Sequence, residues 1–269
     1  MRNSRSIRKD ELRFNLQMNY WMSYERYDMK VAILGYGKMG HIVEKVLRER
    51  NHEVVAVIDN LDDWQTRADN FRKAEVAIDF SEPSTAVPNM LRAFEANVPI
   101  VVGTTGWYDR LDEVREQCAA HNGRLVYGAN FSIGVNIFFK VNQLLAKLMN
   151  TQDRYSVTME ETHHIHKKDA PSGTAIHLAQ DIINGVDSLK EWQLTPCDHT
   201  RVVLPVTAIR EGEVPGTHVV TWSSPEDDIE IRHTAHGREG FARGAVHAAE
   251  WLVLQPSGVY PFEKCIIDN

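Results

Sequence analysis

Five short apolar runs recur through the first half of the chain with little polar alternation: Lys30–Leu34, Glu53–Ile58, 75–79, 99–102 and Arg124–Tyr127. Unbroken runs of this length suit parallel strands buried on both faces. Helical stretches separate them at 39–50, 83–96 and 109–121. Strands and helices alternating in this order predict an α/β fold, a doubly wound parallel sheet with right-handed crossovers.

The rhythm changes after Asn130. A long helical stretch, 135–149, is followed by strand-like segments at 155–162, 201–209, 217–222 and 229–233, several of which alternate as one-sided strands do. This predicts a second, α+β domain with a mixed sheet. The Ala-rich amphipathic stretch 242–254 is expected to return to the first domain. The division that results is residues 29–129 with 239–269 for dinucleotide binding, and 130–238 for substrate binding and oligomerisation.

Residues 1–28 carry six basic and four acidic side chains. They lack the apolar core of a secretory signal and are too acidic for a transit peptide. Met29-Lys30-Val31-Ala32-Ile33-Leu34 reads as a native start running straight into a buried strand, so the segment before it is expected to be a disordered tail or an upstream extension.

The formal charge of −7, from 30 Lys and Arg against 37 Asp and Glu, disfavours a partner recognised by net positive charge, such as nucleic acid or an anionic membrane. No apolar run approaches the ~20 residues of a membrane span. The three cysteines are far apart and have no C-x-x-C spacing, which argues against a disulfide framework or thiolate zinc and points to a reducing, cytoplasmic compartment.

Gly35-Tyr36-Gly37-Lys38-Met39-Gly40 fits G-x-G-x-x-G directly after a strand and at the opening of a helix. In that position the first glycine permits the tight turn, the second admits a pyrophosphate to the backbone N–H groups, and the third lets helix and strand pack closely. Asp59, at the end of the second strand, stands where an acid accepts hydrogen bonds from an adenosine ribose. Such an acid favours NADH over NADPH, and Lys38 could partly offset it towards a 2′-phosphate. Gly103-Thr104-Thr105-Gly106 and Gly128-Ala129-Asn130-Phe131 follow the fourth and fifth strands, at the sheet edge where ligands bind in such folds.

The densest polar segment runs from Glu161-Thr162-His163-His164 through Lys167 to Asp169-Ala170-Pro171-Ser172-Gly173-Thr174-Ala175. Ser172 is a natural helix N-cap, and the N–H groups of Gly173 and Thr174 beyond it suit a carboxylate. Three readings compete: a zinc site, a solvated charged loop, and an anion-binding, proton-donating active site. Adjacent His163 and His164 point to opposite faces of a strand and no H-E-x-x-H pattern is present, so no metal is expected. Arg210, Arg232, Arg238, His233 and His236 are expected at the surface, and the six tryptophans in the core or interfaces.

These residues resemble the dihydrodipicolinate reductase family, which makes tetrahydrodipicolinate in lysine and diaminopimelate synthesis. The 161–175 segment matches its signature almost letter for letter. Gly103 to Gly106, Ala129-Asn130-Phe131-Ser132-Ile133-Gly134-Val135-Asn136 and Gly244-Ala245-Val246 match in order, so the resemblance spans Met29 to about Pro261. It implies hydride transfer from a nicotinamide to an unsaturated dicarboxylate ring. By resemblance His163 and Lys167 are the acid/base and proton-donor residues. His164, Lys167, Ser172, Gly173 and Thr174 hold the substrate's carboxylates. Gly35 to Gly40, Asp59, Gly103, Thr104, Thr105 and Gly128 to Phe131 contact the cofactor. The family implies a homotetramer and use of both NADH and NADPH; combined with the acid at Asp59, this gives dual use with a modest NADH preference. A related amino- or imino-acid dehydrogenase, or a nicotinamide-binding redox sensor without turnover, shares the glycine loop and stands as the alternative.

Overall fold

The computed structural model describes residues 28–197 and 201–267. The expectation for the N-terminal tail falls, apart from Asp28, outside the described residues. Two sheets organise the chain. The first is six-stranded and wholly parallel, ordered β11-β5-β4-β3-β1-β2, and comprises β1 (Lys30–Leu34), β2 (Glu53–Ile58), β3 (Val76–Asp79), β4 (Ile100–Val102), β5 (Arg124–Tyr127) and β11 (Gly258–Pro261).

Its strands are mostly apolar because both faces of the sheet are covered, with the charged positions Lys30, Glu53, Asp79 and Arg124 at strand ends. Along β1, Val31 and Ile33 enter one core while Ala32 and Leu34 enter the other. The first core is closed by α1 (Lys38–Glu49) and α7 (Glu239–Leu252), through residues such as Val43, Leu47, Val246 and Leu252. The second is closed by α2 (Leu61–Phe71), α3 (Pro83–Glu95) and α4 (Leu111–Ala120), through Phe71, Met90, Phe94 and Val114. The late helix α7 thus returns to the first sheet, as its Ala-rich pattern predicts.

The second sheet is ordered β10-β9-β6-β8-β7, with β6 (Ser156–His163) paired antiparallel to β9 (Gly216–Ser223) and parallel to β8 (Val203–Arg210). β10 (Asp228–Ala235) and β7 (Glu191–Leu194) form its edges, which makes it mixed. Helices α5 (Ile133–Met149) and α6 (Gly173–Gly185) cover one face over Val157, Met159, Leu204, Val206, Val220 and Trp222. The alternation along β6, with 157, 159, 161 and 163 buried, is that of a strand covered on one side.

Four elements go beyond the sequence reading. α2 is polar and carries little apolar periodicity, yet Asn60 caps it by accepting a hydrogen bond from the Asp63 N–H at 2.9 Å, with Asp62 and Asp63 in its first turn. Edge strands β7 and β11 are short and largely unburied, so they leave no apolar run to read. The last helix, α8 (Lys264–Ile267), is a single turn. The expected helix 109–121 starts as a 3₁₀ turn, Tyr108–Arg110, before α4. Among the described residues no helix is long and apolar enough to cross a membrane.

Candidate active site

The first sheet reverses strand order about β1, which has β2 on one side and β3 on the other, and ligands bind at the carboxyl ends of strands beside such a switch. The glycine loop leaves β1 there. Gly35 has φ +83°, and a Cβ on it would stand 2.4 Å from the Phe80 carbonyl oxygen; one on Gly40 would stand 2.4 Å from the Gly35 carbonyl oxygen. A Cβ at Gly37 would meet nothing within 4 Å, so the loop is packed from behind and open in front. Asp59, leaving β2, accepts a hydrogen bond from the Tyr36 N–H at 2.6 Å, which ties the acid to the loop. A cleft of about 450 Å³ opens beside them, lined by Gly35, Asp59, Trp64, Ser81, Asn89 and Arg92 among others. Lys38, the first residue of α1, is not among its lining residues.

Buried Asp79 braces this edge. It accepts from Thr104 Oγ1 at 2.6 Å, Ser81 Oγ at 2.8 Å and N–H at 3.0 Å, and Asn89 Nδ2 at 2.8 Å. Burial pushes its carboxyl above the usual range, against the pull of those hydrogen bonds. The Thr104 side chain is therefore committed to the fold, while Thr105 is exposed. Phe131 is likewise core, ring against ring with Phe80 and Phe262. Asn130 turns its Oδ1 to the Ser132 N–H and its carbonyl to Asn136 Nδ2, so it shapes the start of α5; Gly128 packs on Phe262, and Ala129 is exposed.

On the second sheet three strands converge on one carboxylate. β6 supplies Glu161 and His163 on its covered face, β9 sets His218 opposite Glu161, and β8 sets Arg210 opposite His163. Glu161 is wholly buried and an unpartnered carboxylate there would be very costly. Instead Arg210 donates at 3.0 Å, the Ser172 N–H donates at 3.1 Å to each oxygen, and His163 Nδ1 lies at 3.3 Å. Burial pushes this carboxyl up, but His163, His218, Ser172 and Arg210 together outweigh it and hold it well below the usual carboxylate range. His218 Nε2 lies 3.1 Å from Ser172 Oγ, and burial pulls this imidazole below its ordinary value. Gly216 has φ +156°, and a Cβ there would stand 3.0 Å from His163 Nε2.

Ser172 is the N-cap of α6, its Oγ accepting from the Ala175 N–H at 3.2 Å. With Ser172 N–H turned inward to Glu161, the anion-binding donors left are Gly173 and Thr174, and a Cβ on Gly173 would meet nothing within 4 Å. Lys167, in the loop between β6 and α6, places Nζ 2.9 and 2.8 Å from the two carboxylate oxygens of Asp169. That ammonium holds the Asp169 carboxyl below its usual range. His164 follows the end of β6 and accepts through its carbonyl from the Lys167 N–H at 3.1 Å.

Glu161, His218 and Arg210 are absent from the site read in the sequence. Arg210, expected at the surface, is only 20 % exposed and reaches inward to Glu161. The signal lay in alternation along β6, which puts Glu161 on the same face as His163. The ligand-capable atoms of Glu161, His163 and His218 lie within 4.8 Å of one another. The Arg210 guanidinium already neutralises that carboxylate, so the set suits shared hydrogen bonds better than a metal ion.

Comparison with known proteins identifies the family. The family description "Dihydrodipicolinate reductase, N-terminus" matches residues 29–131 and "Dihydrodipicolinate reductase, C-terminus" matches 134–266. A 4-hydroxy-tetrahydrodipicolinate reductase from Christiangramia forsetii is 45% identical over 240 residues, covering 89% of this chain and 98% of the relative. One from Staphylococcus aureus is 34% identical, covering 88% of this chain and all of the relative. The fold is shared with the dipicolinate-bound dihydrodipicolinate reductase of Paenisporosarcina sp. TG-14, at 23% identity and TM-score 0.71 over 88% of this chain and 99% of that one. The family matches over both halves of the fold and the 45% identical relative therefore place the chain in the dihydrodipicolinate reductase family.

Proposed function

We infer that this chain reduces 4-hydroxy-tetrahydrodipicolinate to tetrahydrodipicolinate with NAD(P)H, in lysine and diaminopimelate synthesis. The observation that carries this is the fastening of the 161–175 segment to the N-terminus of α6 in a chain 45% identical to a reductase of that name. The glycine loop, open at Gly37 and tied to Asp59, fits a dinucleotide. We assign residues 29–129 with 239–269 to the cofactor and 130–238 to the substrate.

Exchange of the 4-hydroxyl for hydrogen takes in a hydride and a proton and releases water. Bound NAD(P)H supplies the hydride. The chain must hold a dicarboxylate and deliver the proton. Gly173 and Thr174 offer N–H donors at a helix N-terminus, where the dipole favours an anion. Lys167 is the proton donor and a second anchor for a carboxylate, and His163, seated against Glu161, is the acid/base partner. Both Lys167 and the substrate carboxylate are expected to exchange partners on binding, since Asp169 holds the ammonium beforehand.

Asp59 supports a ribose with a free 2′-hydroxyl, so we propose use of both cofactors with a modest NADH preference, and, from the family, assembly as a homotetramer. The test is to mix the protein with the freshly made product of dihydrodipicolinate synthase and follow reduced nicotinamide absorbance. Oxidation with either cofactor is expected. No consumption above background sinks the reading, and consumption with an amino or imino acid instead assigns the chain to another dehydrogenase.

A further inference from the structure

The cofactor cleft carries a charge that the reading above leaves unused. Asp59 and Asp62 line it, and among its described lining residues Arg92 is the single cation. Its guanidinium carbon stands 5.0 Å from the centre of the Trp64 ring. No carboxylate of the described residues pairs with it within 4 Å, although most of the other described arginines find one. An ion left without a counter-ion beside a cleft is poised for an anion brought from outside.

The platform beneath it is rigidly held. Trp64 Nε1 donates to Asn89 Oδ1 at 3.3 Å, and Asn89 Nδ2 donates to the buried Asp79 at 2.8 Å. The indole also packs edge-to-face with Phe71, with ring centroids 4.9 Å apart. Arg92 rises from α3 and Trp64 from α2, so the stack bridges the two helices that flank the carboxyl ends of β2 and β3. A guanidinium resting on an aromatic ring keeps its N–H donors at the edge, where a phosphate accepts two of them at once.

We propose that Arg92, held over Trp64, is the residue through which this chain accepts a 2′-phosphate on the adenosine of its cofactor. The proposal rests on the reading of the cleft as a nicotinamide dinucleotide site and names what decides between its two forms. Asp59 selects the free ribose and repels the phosphate; Arg92 opposes that repulsion from the same cleft. Lys38 was the sequence candidate for this role, but it does not line the cleft, whereas Arg92 does.

The test is direct binding without substrate: isothermal titration of wild type, Arg92→Ala and Arg92→Lys with NADH, NADPH, 5′-AMP and 2′,5′-ADP, with thermal midpoints to verify folding. Arg92→Ala is expected to weaken NADPH and 2′,5′-ADP by about tenfold or more, the loss of one charge-assisted contact, and to leave NADH and AMP within about twofold. Arg92→Lys, which keeps the charge but loses the planar stack, is expected between the two. Equal weakening of phosphorylated and unphosphorylated ligands overturns the proposal, because it makes Arg92 a stacking surface for adenine. An Arg92→Ala protein that binds all four as wild type does also overturns it. Failure of wild type to bind either dinucleotide would instead remove the cofactor reading beneath it.

Discussion

The backbone N–H of Ser172 donates to both oxygens of Glu161, at 3.1 Å each. One carboxylate on the middle strand of the second sheet therefore fixes the residue that caps α6. The same carboxylate takes Arg210 from β8 and lies against His163 two residues along its own strand. Orientation of the anion-binding helix end and of the acid/base histidine thus depends on a single buried ion, although that carboxylate need not itself touch the substrate.

Glu161→Gln tests that dependence. The amide keeps the shape but removes the charge opposite Arg210, and it turns an NH₂ towards groups that need an acceptor. Breaking one side of a buried ion pair typically costs about 3–5 kcal/mol. A lowered denaturation midpoint and a lowered kcat are expected together, with NADH affinity unchanged because the first sheet is untouched. A variant as stable and as active as wild type would show that the carboxylate positions nothing.

His218 gives the stability a pH dependence whose sign follows from burial. Its folded pKa lies below the ordinary 6.5, so the unfolded chain takes up a proton that the folded chain refuses. Stability is therefore complete above that value and declines as pH falls through it towards the folded pKa. Burial moves His233 the same way, whereas Glu161, held well below the usual range, loses its contribution only in much stronger acid. Thermal midpoints should fall between about pH 7.5 and about pH 5.5, with a shallower fall in His218→Gln. Parallel curves for the two proteins would assign the loss to other groups.

The first sheet was legible because its strands are buried on both faces: β1, β2 and β5 have the bounds that their apolar runs predict. α2 and the short edge strands β7 and β11 were not, since solvent takes most of their surface and burial writes no period into them. At the site, the residues adjacent in sequence could be read, from Lys167 to Thr174. His218 and Arg210 could not, because they reach Glu161 only through the pairing of β6 with β9 and β8, a register that one-dimensional patterns do not carry. Trp64, expected in the core or an interface, and Arg92 meet only when α2 and α3 pack side by side.

The outer surface of α5 bears on the expected assembly. Ile137, Val141, Leu144 and Leu148 are 48, 43, 61 and 62 % exposed and recur at spacings that keep one helical face. An apolar stripe of this kind is unusual on a monomer's surface. Together with the uncovered face of the second sheet, it fits subunit contact. Light scattering at micromolar protein should give about four times the chain's 30.7 kDa, and a monomer would refute the tetramer.

Lys167 and Asp169 separate proton donation from positioning. The ammonium is held by both oxygens of a carboxylate two residues away, on a loop where Asp169 is exposed. An exposed pair of this kind is weak, so a substrate carboxylate at the α6 N-terminus can displace Asp169 at little cost. Lys167→Ala removes both the proton and an anchor: kcat should fall about a hundredfold or more, within the range of general acid catalysis, and KM should rise. His163→Ala should lower kcat by a similar factor with less effect on KM. Asp169→Asn frees the ammonium without removing it, so kcat is expected to stay within about threefold of wild type. If Asp169→Asn instead loses as much as Lys167→Ala, the pair acts as a unit and Lys167 is not the donor by itself; if Lys167→Ala retains a tenth or more of wild-type kcat, the proton comes from another group.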